Sequence, residues 1–346
     1  MSDEGSTEVD LPTGHGKVEF DEEARRALAR KVAALQRPES YGGRLSQVGV
    51  IDTHMSCVFL TEDRAYKLKK PIRTKLLDQS TVAKRREACR RELQLNRRLA
   101  EDVYLAVVPL TQSDGLLKVE GEGEPVDWLV EMRRLARQRM LDARIEREAV
   151  SEEEVDGLAD RLTAFYESAE SAPEEGEDYR SRIAEDIAAK GSALGRSCYG
   201  LVGWELAALV DDLEAWVEEH TELLESRGEW VVDAHGDLRP EHVCLEEPPV
   251  VIDCLEFSRR LRLLDPVSEL AFLGLECRRL GAGWIGERLL NEYAEASGDD
   301  VPPTLVDFYQ GYHALVRAAV AAWHLDDGAL NSDGVYREKA RGYLKM

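Results

Sequence analysis

The stretch that decides the fold is His235-Gly236-Asp237-Leu238-Arg239-Pro240-Glu241-His242, followed by Val250-Val251-Ile252-Asp253-Cys254-Leu255-Glu256. It sets a loop carboxylate behind His and Gly, then a residue of metal-ligating type, then an apolar run ending in a second carboxylate. That order is a phosphoryl-transfer layout. One carboxylate must face the attacking hydroxyl, while the other holds a divalent cation against the β- and γ-phosphates of a nucleotide. A hairpin between them brings both ends to one edge of a cleft. Asp237 is therefore the candidate base and Asp253 the candidate metal ligand, with His242 as a second candidate metal contact.

Working outward, the segment before residue 132 reads as strands around one long helix. Phe20 to Gln36 has helical apolar spacing (Ala24, Leu28, Val32, Leu35), with Asp21 as the expected N-cap. Val48–Ile51, Cys57–Leu60 and Ala65–Lys69 are strand runs, the last two joined by a Glu62-Asp63-Arg64 turn. A charged helix is expected from Thr81 to Ala100. Strand candidates follow at Tyr104–Leu110, Leu116–Glu120 and Trp128–Met132. Beyond Met132 the pattern predicts helices over 132–148, 151–168, 180–190 and 201–225. A strand-rich island, Trp230 to Phe257, interrupts them, and helices resume near Pro266. Segment 170–178 reads as a polar loop, and residues 1–18 as a disordered acidic tail. The domain reading is the tail, an N-terminal helix plus β-rich nucleotide-binding lobe over 19–131, and a helical C-lobe carrying the catalytic loop over 132–346.

With Asp265-Pro266-Val267-Ser268-Glu269-Leu270-Ala271 added, three motifs stand in order between residues 235 and 271. Together they resemble the aminoglycoside phosphotransferase and choline kinase group. The resemblance implies an α+β, two-lobed protein-kinase-like fold, with a small antiparallel, five-stranded N-lobe and a mainly helical C-lobe. It also implies ATP as co-substrate, Mg²⁺ (or Mn²⁺) as cofactor, and a small-molecule acceptor. Ala65-Tyr66-Lys67 is similar to the group's third strand, where the period of two puts Ala beside the adenine and Lys67 on the α/β-phosphates. Lys69 lies on the same face. Glu92 in Arg91-Glu92 is the implied ion-pair partner of Lys67, with Glu87 as the alternative. Trp128–Met132 falls at the hinge strand, where backbone groups near Glu131 and Met132 would take adenine. Thr53-His54-Met55-Ser56-Cys57-Val58-Phe59-Leu60 and Ala65-Tyr66-Lys67-Leu68-Lys69-Lys70-Pro71 resemble a bacterial branch often joined to a P-loop kinase-like domain. No G-x-x-x-x-G-K-[ST] occurs in the sequence, the nearest segment being Gly191 to Ser197, so the chain reads as the stand-alone version.

Three features depart from the group. His242 stands where Asn is usual, and it offers a nitrogen that suits Zn²⁺ or Mn²⁺ better than Mg²⁺; direct phosphate contact and plain packing are the alternatives. No G-x-G-x-x-G covers the phosphates; the Thr53–Ser56 turn stands there, with the Ser56 hydroxyl as a candidate phosphate donor. Arg239, inside the loop, is a candidate phosphate or substrate contact. Tyr309, His313 and Arg317 recur at helical spacing, so they either line an acceptor pocket or pack in the core. Glu256 is a candidate aid to metal or substrate binding, or a surface acid. His235 and Asp265 read as loop scaffold.

Composition narrows the partners. Net charge is −23, from 68 acids against 45 bases, which argues against a nucleic-acid binder. The acidic surface is either simple solvation or a match for a cationic acceptor. No apolar run approaches the ~18 residues of a membrane span. The N-terminus has no apolar signal core, and six cysteines show no C-x-x-C, so a reducing cytoplasmic location is expected. The functional expectation is γ-phosphoryl transfer from ATP to a hydroxyl of a sugar, amino sugar, aminoglycoside-like compound or amino alcohol. The alternatives are a nucleotide-binding regulatory protein with little activity, or an AMP-transferring kinase-like enzyme.

Overall fold

The computed structural model describes residues 22–42, 46–74, 76–196, 199–201, 203–325 and 333–346. The expected 1–18 tail and the Asp21 cap lie outside them. Among the described residues, 22–171 and 232–301 form one compact unit, and 172–231 with 302–346 form another.

The first unit opens with α1 (Glu22–Leu35), β1 (Gly49–Asp52), β2 (Ser56–Leu60), β3 (Arg64–Lys69) and α2 (Val82–Ala100). Then come β4 (Tyr104–Ser113), β5 (Leu116–Val119), β6 (Glu124–Arg133), the short α3 (Leu141–Ile145) and α4 (Glu152–Ser168). All six strands join one antiparallel sheet in the order β1-β2-β3-β6-β4-β5. These correspond to the six strand runs read from the sequence, so the five-stranded lobe is corrected to six. The short edge strand β5 holds its place through a full ladder from Leu110–Val119 to Ser113–Leu116.

The period of two gives this sheet two different faces. Ala65, Val130 and Met132 point to the side where Cys89 and Ala100 of α2 pack, with Tyr104 among them. Cys57, Phe59, Leu68, Leu110 and Leu129 point the other way, against Leu28, Val32 and Leu35 of α1. Each fully buried large side chain contributes about 1.5–3 kcal/mol. Thr81 caps α2, its hydroxyl accepting from the Lys84 amide. Buried Asp127 on β6 accepts a two-pronged contact from Arg85 of α2 (2.9 and 2.8 Å) and one from Lys31 of α1 (2.6 Å), which ties both helices to the sheet.

The helix expected over 132–148 is not formed. Met132 is laddered to Ala65 on one side and Tyr104 on the other, so its backbone is committed to the sheet. Strand β6 runs through Arg133, and only a 3₁₀ turn at Arg137–Arg139 and α3 follow.

The second unit holds α5 (Gly176–Leu194), α6 (Trp204–Glu219), α7 (Thr221–Ser226), α10 (Pro303–Trp323) and α11 (Asp333–Leu344). The expected loop 170–178 is shorter, because Glu177 and Asp178 sit in the first turn of α5, where the helix dipole favours acids. The single helix expected over 201–225 is broken at His220, which leaves helical dihedrals and stacks on Trp216 with ring centroids 4.5 Å apart.

In the first unit the strand-rich island reduces to two-residue strands: β7 (Val232–Asp233), β8 (Val243–Cys244), β9 (Val250–Val251) and β10 (Leu263–Leu264). They form two separate ladders, β7 with β10 and β8 with β9. α8 (Pro266–Arg279) and α9 (Gly283–Ser297) complete that unit. No described helix is long and apolar enough to cross a membrane.

Candidate active site

The site grows from the β8–β9 hairpin. The Ile252 amide donates to the His242 carbonyl (2.9 Å), so the loop residue His242 and the residue after β9, Asp253, emerge at one end. Asp253 has φ +64°, a left-handed conformation uncommon outside Gly, Asn and Asp. Its amide donates to the Tyr104 hydroxyl (3.1 Å), and the next amide, of Cys254, donates to Asn96 Oδ1 (2.9 Å). The turn is thus pinned from β4 and α2.

Strand β3 supplies the cations. Lys67 Nζ lies 2.6 Å from Asp253 Oδ1 and 2.8 Å from Glu92 Oε1. Lys69 Nζ, two residues along on the same face, lies 2.6 Å from Glu92 Oε2 and 2.5 Å from Glu256. Glu92 is fully buried and bridges both lysines, whereas Glu87 is half exposed and faces Arg91 at 3.8 Å. Burial pulls the lysine pKa values down, but Asp253 and Glu92 hold Lys67 well above the ordinary lysine value. The same competition, won by Glu256 and Glu92, raises Lys69. Burial disfavours the Glu92 carboxylate, yet Lys67 and Lys69 together keep it below the usual carboxylate range.

The loop itself is braced from beneath. His235 Nε2 donates to the Ile252 carbonyl (3.0 Å), and its Nδ1 accepts from the Asp237 amide (3.3 Å), which fixes one tautomer. Complete burial, with His242 beside it, lowers the His235 pKa to about 4. The buried Glu269 carboxylate accepts from the amides of His235 (3.2 Å) and Gly236 (2.6 Å) and from the Tyr166 hydroxyl (3.0 Å). Burial raises the pKa of Glu269. Gly236 has φ +87°, and a Cβ there would stand 2.9 Å from Arg262 Cγ. Asp265 caps α8, accepting from the Val267 amide (3.0 Å).

Asp237, on this loop, carries Arg239 Nη2 at 2.9 Å. His242 stands between the two candidate carboxylates. Its Nδ1 is 3.8 Å from Asp237 Oδ2, and its Nε2 is 3.6 Å from Asp253 Oδ2. Lys67, Glu92, Asp237, Arg239, His242 and Asp253 therefore form one connected cluster.

The remaining candidates fall elsewhere. Ser56 is buried, its hydroxyl 2.9 Å from Thr53 Oγ1 within the turn. Glu131 pairs with Tyr66 (3.3 Å) and Arg64 (3.4 Å), and Met132 lies opposite Ala65 in a cluster to which partly buried Val58, Leu135 and Ile252 add an apolar rim. Tyr309, His313 and Arg317 belong to α10 of the other unit. There Tyr309 shares a 2.9 Å hydroxyl contact with Tyr179, His313 is buried, and Arg317 lies over the Tyr343 ring.

Sequence reasoning passed over Tyr104, Asn96 and the role of Lys69. Lys69 was visible as the second lysine on one face of β3. Tyr104 and Asn96 left no signal, since only the tertiary packing takes them to the Asp253 and Cys254 amides.

The donor set suits a nucleotide-borne divalent cation. Asp253 offers a hard carboxylate oxygen on a side chain 45% exposed, directly beside Lys67.

No protein-family model matches the chain. Uncharacterized proteins of Mycobacterium bovis and Mycobacterium tuberculosis are 33% identical over 290 residues, which is 81% of this chain and 56% of theirs. The chain thus spans about half the length of these curated relatives. Among solved structures, the GDP complex of aminoglycoside 2′-phosphotransferase-IIIa superposes with TM-score 0.55 at 14% identity, covering 87% of this chain and 93% of that one. A choline/ethanolamine kinase family protein from Mesorhizobium loti gives 0.54 at 14% identity, covering 92% and 93%. Choline kinase LicA from Streptococcus pneumoniae gives 0.51 at 16%, covering 93% and 99%. The chain has the α+β protein-kinase-like fold that aminoglycoside phosphotransferases and choline kinases share.

Proposed function

We propose that the chain transfers the γ-phosphoryl group of ATP to a hydroxyl of a small metabolite. The observation that carries this reading is Lys67, held 2.8 Å from buried Glu92 and 2.6 Å from Asp253, in the same cluster as the loop carboxylate Asp237. In the resting cluster Lys67 is fixed and charged, and the bound nucleotide would bring phosphate oxygens to it. Glu92, gripped by two lysines, keeps Lys67 from swinging away. The Asp253 carboxylate, on a backbone whose amide is pinned to the Tyr104 hydroxyl, would hold a divalent cation, which when bound neutralises phosphate charge. Adenine would lie on the rim of Val58, Ala65, Met132, Leu135 and Ile252, meeting backbone groups near Glu131 and Met132.

Asp237 would orient the acceptor hydroxyl and take its proton. As the new oxygen–phosphorus bond forms, the bond from the γ-phosphorus to the β,γ-bridging oxygen breaks, leaving ADP and a phosphate monoester. Most of the rate gain is positioning and charge neutralisation.

The neighbours' printed names, aminoglycoside phosphotransferases and choline kinases, support an acceptor that combines hydroxyl groups with a positive charge. The net charge of −23 is consistent with attracting such a compound. The test is γ-labelled ATP with the small-molecule fraction of a cell extract, comparing wild type and Asp237→Asn under Mg²⁺ and Mn²⁺. Label should pass to a metabolite with wild type and fall at least 100-fold with the variant. AMP transfer, or nucleotide binding without transfer, would replace this reading with one of its rivals.

A further inference from the structure

Arg239 occupies a place in this cluster that the phosphotransferase reading does not use. Nη1 donates to Glu241 Oε1 at 2.6 Å, and Nη2 donates to Asp237 Oδ2 at 2.9 Å. Nη2 also lies 3.1 Å from His242 Nε2. A guanidinium has no lone pair to offer, so Nε2 must be the acceptor. The other side of the ring demands the same tautomer. His242 Nδ1 is 2.8 Å from the Asp237 carbonyl oxygen, which can only accept, so Nδ1 carries the proton. Two independent contacts thus commit the one lone pair of His242 to Arg239.

We propose, resting on the phosphotransferase reading above, that Arg239 is the fixed cation of this site, standing in for a second metal ion, and that His242 is a positioning residue for it. Kinase-like sites with Asn at the His242 position use its oxygen to help hold a second divalent cation. Here the replacement ring directs its only free electron pair at a guanidinium. A metal ion on Nε2 would have to expel Arg239 or lie against its positive charge, while Asp253 Oδ2 stays available for one cation at 3.6 Å from the ring. The planar fork is stretched between Glu241, Asp237 and His242, with 18% of the side chain still exposed for contact with the transferring phosphoryl group. The site therefore needs one divalent ion, where an Asn-bearing site holds two.

The experiment uses the full chain labelled with ¹⁵N-histidine, β,γ-methylene-ATP and Mn²⁺ as the probe. Electron paramagnetic resonance counts bound Mn²⁺, and pulsed detection of ¹⁵N coupling reports histidine ligation. Wild type should bind one Mn²⁺ per nucleotide with no ¹⁵N coupling. Arg239→Met should free Nε2, raising the count to two with ¹⁵N coupling present. His242→Leu should keep one Mn²⁺ with a Kd within threefold, yet broaden the Arg239 guanidinium signals in an arginine-selective spectrum; His242→Gln, which retains an acceptor, should restore them. Two Mn²⁺ with ¹⁵N coupling in wild type would overturn the proposal and leave the phosphotransferase reading standing. Nucleotide and Mn²⁺ binding both absent from wild type would overturn the two together. The wild-type measurement alone decides, so a variant that fails to fold does not rescue the idea.

Discussion

Replacing Glu92 by Gln removes one negative charge from a fully buried position while keeping the side chain's shape. In the native cluster Glu92 faces Lys67 at 2.8 Å and Lys69 at 2.6 Å. At an effective dielectric of about 20, each contact is worth roughly 6 kcal/mol before desolvation is counted. Removing one partner of a buried pair costs about 3–5 kcal/mol net, because the other charge stays buried without compensation. Each lysine keeps a second carboxylate here, Asp253 for Lys67 and Glu256 for Lys69, so the lower end applies. The expected loss is about 3 kcal/mol. Urea unfolding followed by far-ultraviolet circular dichroism measures it, with Glu87→Gln as the control. Glu87 is exposed and pairs with Arg91 at 3.8 Å, so its loss should stay within about 0.5 kcal/mol. A loss below about 1 kcal/mol for Glu92→Gln, or equal losses for the two variants, would refute the view that Glu92 is the electrostatic keystone of the lysine pair.

Two further outcomes follow from the loop. Gly236→Ala forces a Cβ into a left-handed position 2.9 Å from Arg262 Cγ and 3.1 Å from Leu255 Cβ, so stability should drop by about 2–3 kcal/mol in denaturant unfolding; a loss under about 0.5 kcal/mol would contradict the tight seat. Burial lowers the His235 pKa from 6.5 to about 4 in the folded protein, so between these values the unfolded chain takes up a proton that the native state refuses. Stability from this group is thus complete above pH 6.5 and is lost as pH falls toward 4, by up to about 3 kcal/mol. The wild-type loss between pH 7 and pH 5 should exceed that of His235→Gln, and parallel profiles would count against it.

The order of polar residues in the loop and the strand character of the N-terminal segment were legible because they are local. Carboxylates at fixed spacing, an apolar run before Asp253, and alternation through Ala65-Tyr66-Lys67 are properties of neighbouring residues. The helix from Thr81 was legible for the same reason, since its cap and its apolar face lie within a single element. Residues 132–148 misled because helical spacing there competes with ladders to Ala65 and Tyr104, which belong to distant parts of the chain. The choice between Glu87 and Glu92 turned on which face of α2 meets β3, and only packing settles that. Tyr104 reaches the Asp253 amide, and Asn96 the Cys254 amide, across sequence separations that no pattern encodes.

By itself, then, the sequence determined which ionisable groups are present and the order in which they come. Tertiary structure decided which of them meet: two lysines on one buried glutamate, a histidine whose lone pair is turned to an arginine, and a carboxylate beneath the loop whose two oxygens hold consecutive amides. The physical reason is that spacing along a chain fixes side-chain chemistry and local periodicity, whereas hydrogen bonds and ion pairs depend on distances of about 3 Å that only the packed fold sets.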